Sequence, residues 1–249
     1  MGPFVGVLIV VASAFQIQSR LLSTTEELFS LAKKINQSVT ATVVDNRQAW
    51  TVDGEENGVV SFRLEPVVLQ LPERLGSSGT LYVVLEGRMD AVLPQRRKDD
   101  FLCVGFGTKM AYFRDKTNRI EHILGLHYDL DKTLFGHPVF HAQLCSHVSS
   151  ADHLETSLNL RKTVEDHVSR VLRNARIPTA QMDPLSAYLQ LVADHLLGRD
   201  SALEDKNAFR QMLDSTRFLK GMATSLPSLS QAPASDCYRS LHWYEQNTP

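Results

Sequence analysis

The sequence has few cysteines and almost no excess charge, and each shortage excludes a class of protein. Its three cysteines, Cys103, Cys145 and Cys237, are odd in number and far apart, which argues against a disulfide framework and favours a reducing compartment. The formal net charge of −2 supplies no basic field that would recruit nucleic acid or an acidic membrane. We therefore expect a cytoplasmic protein without membrane association, for which a nucleic-acid partner is not favoured.

The sequence also lacks the short motifs that identify several common enzyme classes. It contains no G-x-S-x-G elbow, no Walker A loop, no G-x-G-x-x-G after a strand and no H-E-x-x-H helix. These motifs mark α/β-hydrolases, P-loop NTPases, dinucleotide-binding enzymes and zinc proteases of one type. None of those activities has support from a motif here.

Long apolar segments are missing as well, and the longest run, "PFVGVLIVVASAF", covers residues 3–15. It resembles a secretory signal that ends in Ala12-Ser13-Ala14, but a signal should open with basic residues, and the first one here is Arg20. The run is shorter than the about 20 residues that span a bilayer. Its β-branched content predicts a buried strand.

The pattern of apolar and polar residues changes twice after this run. The capping box from Ser23 to Glu26 precedes apolar residues at helical spacing, which predicts a helix over residues 24–35. From residue 38 to 148, short β-branched runs between turn residues predict an antiparallel meander. Val60, Phe62 and Leu64 alternate with polar residues, so one sheet face should be covered and the other wet or functional.

Glycine and proline mark the predicted turns of this meander. We expect turns at Asp53-Gly54, Asn57-Gly58, Gly107-Thr108 and residues 115–118. Pro66 and Pro72 bracket "VVLQL", which predicts an edge strand or a bend, because proline cannot donate to a central ladder.

After residue 148 the pattern becomes helical. We predict helices over 158–175, from Asp183-Pro184 to Gly198, and from the capping box at Ser201 to about Gly221. The fold class is therefore α+β: an antiparallel β-meander sheet, preceded by a helix and followed by a C-terminal group of three or more helices. We divide the chain into 1–148, the N-terminal helix and sheet, and 149–249, the helices and an aromatic tail. The second part should pack on the sheet as one domain, although a small helical subdomain is the alternative.

Four of the nine histidines fall between residues 125 and 147, on a predicted hairpin. With strands over 123–129 and 139–147, alternation places His127 and Asp129 on the same face as His141 and Gln143. A simple register about Leu134 sets His127 opposite His141, at a Cβ separation of about 5 Å.

This face is a candidate metal site. Imidazoles and a carboxylate from neighbouring strands are groups that zinc accepts, so His127, Asp129 and His141 are the candidate ligands and Gln143 a further binding residue. Asp131 and His137, in the loop, are candidate catalytic acids or bases. The spacing matches no named zinc signature, protonated histidines could instead hold an anion, and the wet face of an ordinary hairpin needs polar residues without any function.

Two other segments carry candidate binding residues. The loop over 175–184 presents Arg176, and the terminal "YRSLHWY" presents Arg239, Trp243 and Tyr244, a set suited to anchoring a partner.

Two functions follow from these candidates. The first, slightly favoured, is a cytoplasmic interaction protein, an accessory subunit of a larger assembly that binds a protein partner. The second is a metal-assisted hydrolase, a nuclease or phosphoesterase that uses a divalent metal such as zinc at the hairpin face.

Overall fold

The structure is a computed structural model and describes residues 4–72, 80–92, 101–116, 119–130, 140–145, 161–163, 176–179 and 181–220. The helices are α1 (Phe4–Ile35), α2 (Pro184–Leu196) and α3 (Leu203–Ser215). The strands are β1 (Thr40–Val43), β2 (Trp50–Glu56), β3 (Val59–Leu71), β4 (Leu81–Val92), β5 (Phe101–Lys116), β6 (Arg119–Leu130), β7 (Phe140–Cys145), β8 (Arg161–Thr163), β9 (Arg176–Pro178) and β10 (Leu219–Lys220).

All of these strands belong to one sheet. Its main path runs β1-β3-β4-β5-β6-β7-β9, while β2 pairs with β3, β8 with β6 and β10 with β5. Neighbours on the main path are antiparallel, and the short β8 and β10 add in parallel. The predicted α+β fold with an antiparallel sheet is confirmed. The described part of the chain holds two helices after the sheet, so a C-terminal group of three or more is not confirmed.

The first helix corrects the prediction for the N-terminal run. Instead of a buried strand over residues 3–15, α1 begins at Phe4 and continues to Ile35. Ala14, Ile17, Leu21 and Leu28 are buried at helical spacing along it, and no proline follows Pro3 before its end. The β-preference of valine and isoleucine is weak, so it does not prevent the helix that carries this buried stripe from Ala14 onward from extending back to Phe4.

The predicted capping box is therefore not a helix start. Ser23 lies inside α1, where its Oγ donates to the carbonyl oxygen of Arg20 at 3.1 Å, as serine hydroxyls often do within helices. Across the described chain, no helix with enough length and apolar character to cross a membrane is found.

The turn predictions divide by what each glycine does. Asn57-Gly58 is confirmed: both residues have positive φ, 53° and 77°, as a tight two-residue hairpin turn requires. The turn predicted at Asp53-Gly54 was wrong, because these residues lie inside β2 at a shift of register. The turn predicted at Gly107-Thr108 was wrong too, since strand β5 continues through both residues.

Proline 66 marks a bend and not an edge. Strand β3 is internal, with β1 and β2 on one side and β4 on the other. The ladder between β3 and β4 shifts between Leu64 and Val67, which places Pro66 where the strand does not need its missing N–H.

The helices cover one face of the sheet. Val60, Phe62 and Leu64 lie in the same buried cluster as Leu28 of α1 and Leu185 of α2, so the predicted alternation of β3 is confirmed. Polar bonds also hold α1 to β2: Trp50 Nε1 donates to Thr25 Oγ1 at 2.9 Å, and Gln18 Nε2 donates to the Trp50 carbonyl at 2.8 Å.

The C-terminal predictions were right for one helix and partly right for another. Asp183 caps α2, because its carboxylate accepts from the backbone N–H groups of Leu185 and Ser186. Helix α3 begins at Leu203, but Ser201 does not cap it; its Oγ accepts from Gly198 N instead. The helix predicted over 158–175 was wrong at Arg161–Thr163, which is strand β8, and the rest of that range lies outside the described residues.

Candidate functional site

The sheet face opposite the helices divides into two halves. One half is apolar and contains buried Val84, Phe113 and Ile120. The other half carries charged residues at the alternate positions of β3 to β7, and we call it the polar face. Two rows of register partners cross it. One row is Arg63, Arg88, Gly107, Asp129 and His141; the other is Glu86, Lys109, His127 and Gln143.

The side chains of the histidine hairpin lie on the predicted face of the sheet, but the predicted pairing between its two strands is wrong. His127 pairs with Gln143, and Asp129 pairs with His141, so the expected opposition of His127 and His141 was wrong. The observed strand pairs are symmetric about position 135 and not about position 134, which slides one strand by two residues relative to the prediction. A slide of two keeps every side chain on its face, because the strand period is two.

Asp129 joins the two histidines. Its Oδ1 lies 2.8 Å from Nε2 of His141, and its Oδ2 lies 3.8 Å from Nδ1 of His127. His141 is buried, with 2% of its side chain exposed, while Asp129 is about one third exposed. Despite the short distance to His141, Asp129 Oδ1 accepts no hydrogen bond from the described residues.

His127 is held in its uncharged form. Burial lowers its pKa below the usual value; Asp129 opposes this effect, and Lys109 and His141 add to it. The imidazole is therefore neutral at physiological pH and offers one donor and one acceptor nitrogen.

The candidate metal ligands share a face without forming a metal centre. Within the described ranges, no group of three or more His, Cys, Asp or Glu side chains is placed to hold a metal ion. The arrangement of His127, Asp129 and His141 thus gives no support to zinc.

A groove runs along the polar face, and its charges cancel. It has a volume of about 540 Å³ and also includes Gly107 and His127. Its charged lining is Arg47, Arg63, Arg88, Lys109, Asp45, Asp53, Glu65 and Glu86. We call it the mixed-charge groove.

Each cation of this groove has a carboxylate beside it. Arg63 Nη2 donates to both carboxylate oxygens of Asp53, at 2.8 and 2.7 Å. Arg88 Nε and Nη2 donate to Asp90, at 2.9 and 3.2 Å. Lys109 Nζ is 3.7 Å from Glu86 Oε1.

Arg47 completes the pattern, since its guanidinium lies 3.5 Å from Asp45 and 3.9 Å from Glu65. The groove is therefore locally neutral but rich in both charges.

Most of this groove was not predicted from the sequence. Arg63, Arg88 and Lys109 each occupy a polar position in an alternating strand, which was a signal for the wet face. Nothing in the sequence shows that these positions line up, because that depends on pairing between strands.

The remaining candidates are only partly described. Arg176 belongs to β9 and pairs with Gln143 in the ladder, and only its strand position is described. Asp131, His137, Arg239, Trp243 and Tyr244 lie outside the described residues.

Comparisons with known protein families, with curated proteins and with solved structures found no match for this chain.

Proposed function

We propose that this protein is a cytoplasmic interaction subunit of a larger assembly and that it binds a protein partner with the mixed-charge groove. The observation that supports this most is the exposure of paired charges on an open sheet face. The side chains of Arg63, Arg88 and Lys109 are 55%, 57% and 44% exposed. A surface of this kind can exchange its internal ion pairs for pairs with a partner.

The cancellation of charge favours a protein over a nucleic acid. A polyphosphate chain binds where cations outnumber carboxylates, because its affinity comes from neutralising phosphates. In this groove each arginine and the lysine already lie within 4.0 Å of a carboxylate. A partner that carries both charges complements such a surface, and complementary charges give specificity.

The fold suits this role because one face of the sheet packs against the helices and the opposite face carries the exposed charges. The helices α1 and α2 pack into the core on one face, which fixes the strands. The polar face can then present side chains from the five neighbouring strands β3 to β7 in fixed register, so binding requires little ordering of the backbone.

The test is co-purification with the full chain as bait from its source cells, followed by quantification of any stoichiometric partner. We expect the double variant Arg63→Glu and Arg88→Glu to retain about tenfold less partner or even less than that, because the loss of a hydrogen-bonded charge that the partner buries costs about 2 kcal/mol or more. Arg217→Glu is the matched control, since Arg217 is also a surface arginine bonded to a carboxylate, Asp214, at 3.1 Å.

The proposal fails if no partner binds in constant ratio, or if the double variant retains it as well as the control does. Thermal unfolding of both variants checks their folding. Exposed ion pairs contribute about 0.2–1 kcal/mol, so both should remain folded.

A second candidate is hydrolysis at the hairpin face. It is favoured by one observation, the contact of 2.8 Å between buried His141 and Asp129, since carboxylates often orient catalytic imidazoles. Elemental analysis of the purified chain for divalent metal tests the metal-assisted form of this candidate. Hydrolysis of phosphodiester or phosphomonoester substrates that His141→Asn abolishes would favour it, and inactivity of the wild type on these substrates would argue against it.

A further inference from the structure

Gly107 occupies the middle of β5, where glycine needs an explanation. Inside a strand it costs conformational entropy and packs no side chain, so it usually marks a bulge, a crowded backbone or a closely approaching ligand. Residue 107 pairs with Arg88 on one side and Asp129 on the other, with no shift of register at that point. A bulge is therefore not the reason.

Crowding explains the neighbouring glycines. A Cβ atom at Gly87 would lie 2.7 Å from the carbonyl oxygen of Gly107 and 2.9 Å from Cγ of Pro184. At Gly105 it would lie 2.7 Å from Oδ2 of Asp90. Both positions exclude a side chain unless the structure shifts.

Gly107 differs from these two. Among the described atoms, a Cβ there would meet His127 Nε2 at 3.7 Å, an ordinary contact distance. Its φ is not in the left-handed region. Neither packing nor backbone conformation in the described structure requires glycine, so the open space above it is the feature to explain.

Complementary polar groups border this space. Lys109 and His127 are register partners on β5 and β6, so their Cβ atoms are about 5 Å apart. The distance of 3.7 Å from Lys109 Nζ to Glu86 is too long for a hydrogen bond. The ammonium is thus available as a donor to a ligand.

The orientation of His127 supplies an acceptor. Its Nδ1 lies 3.8 Å from Asp129 Oδ2, beyond hydrogen-bond distance, and the negative charge on that side still favours the proton on Nδ1. Nε2, the atom nearest to the missing Cβ of Gly107, is then the nitrogen that carries the lone pair.

We infer that Gly107 is the floor of a binding site for a small carboxylic acid with an amine or hydroxyl on the neighbouring carbon. The ligand carboxylate binds the Lys109 ammonium, and the amine or hydroxyl donates to His127 Nε2. Glu86 and Asp129 lie close by and oppose a phosphate dianion, so they favour a ligand whose net charge is zero or −1. The groove volume of about 540 Å³ is ample for such a molecule. Binding of a small molecule at this site would be a function additional to the proposed binding of a protein partner.

The test uses the full chain labelled with ¹⁵N and follows the amide signal of Gly107 during titration with four probes. L-Alanine and L-lactate carry both ligand groups, while propionate lacks the donor and ethylamine lacks the carboxylate. We expect alanine or lactate to bind about tenfold or more tighter than propionate and ethylamine, the scale of one good hydrogen bond. The stronger of the two identifies an amino acid or a hydroxy acid as the ligand class.

Two variants keep the test specific. Gly107→Ala places a methyl group on the floor without crowding, and we expect at least about tenfold weaker binding of the better probe, since a filled site loses its polar contacts. Gly54→Ala is the matched control, because this strand glycine also has open space around its missing Cβ, with no described atom within 4 Å. Lys109→Met should weaken the carboxylate probes as well.

The inference is overturned if all four probes bind equally or not at all, or if Gly107→Ala binds like the wild type. The titration needs no partner protein. A failure here therefore leaves the proposed interaction function standing, and a failure of co-purification leaves this site standing.

Discussion

At the scale of single residues, the environment of His127 makes stability depend on pH. Its pKa in the folded chain is lowered from 6.5, chiefly by burial. Between the lowered value and 6.5 the unfolded chain binds more protons at this residue than the folded chain does. The free energy of unfolding contributed by His127 is therefore fully present above pH 6.5 and is lost as the pH falls toward the lowered value.

Urea unfolding of the wild type and of His127→Gln over a pH series measures this contribution. We expect stability to decrease more steeply below pH 6.5 in the wild type than in the variant. Comparison of the two curves removes the contribution of the other histidines, which both proteins share. Parallel curves would show that His127 titrates with an ordinary pKa.

A second residue-scale prediction concerns Gly87 of β4, whose missing Cβ position faces the backbone of β5 and the first residue of α2. A methyl group there would press on the backbone oxygen of Gly107 and on Pro184, so we expect Gly87→Ala to destabilise the fold by about 1–3 kcal/mol. Gly54→Ala, in open space, should change stability by less than about 1 kcal/mol, because alanine only restricts the unfolded chain. Equal urea midpoints for the two variants would contradict the tight contact.

The sequence could sort residues by face but could not place them in register. The alternation within each strand correctly put His127, Asp129, His141 and Gln143 on one side, because that rule is local. The partner of each residue depends on the length and centre of the turn, and an error of one residue at Leu134 exchanged His141 for Gln143 opposite His127. Gly107 was misread for a related reason: a glycine in a turn and one facing open space look alike in sequence.

At the scale of elements, α1 shows that strand propensity alone does not decide the conformation of a segment. Its valines and isoleucines favour a strand, yet the helix runs through them and continues into a buried stripe from Ala14 to Ala32. The bond from Trp50 Nε1 to Thr25 Oγ1 then fixes the middle of this helix against β2. Because Trp50 is fully buried, this pair couples the two elements.

A double-mutant cycle measures that coupling. We expect Trp50→Phe and Thr25→Val each to destabilise the chain, and the pair to show an interaction free energy of about 0.5–1.5 kcal/mol, the value of one hydrogen bond. Trp50→Ala should cost about 3–5 kcal/mol, because it also leaves a cavity. Strictly additive single effects would mean that the bond does not contribute.

At the scale of the whole molecule, four shifts of register limit what a sequence can reveal about the polar face. The ladders shift between Val52 and Gly54, between Leu64 and Val67, between Asp90 and Ala91, and between Tyr112 and Phe113. Each shift changes which residues of the next strand lie alongside, because the extra residue displaces the alternation. The α+β class follows from the order of strand and helix patterns along the chain, which such shifts leave intact.

The local neutrality of the mixed-charge groove leads to a prediction for the intact complex. A net charge of −2 and a groove of paired ions give little long-range steering, so we expect partner affinity to fall by less than about tenfold between 50 and 200 mM salt, because close pairs are screened only weakly. A polyanion whose phosphates are neutralised by the four cations of the groove would lose about 10²-fold over the same range. Affinity measured by calorimetry at both salt concentrations separates the two, and a loss on the larger scale would show that the charges of the groove act as a basic surface and not as a balanced one.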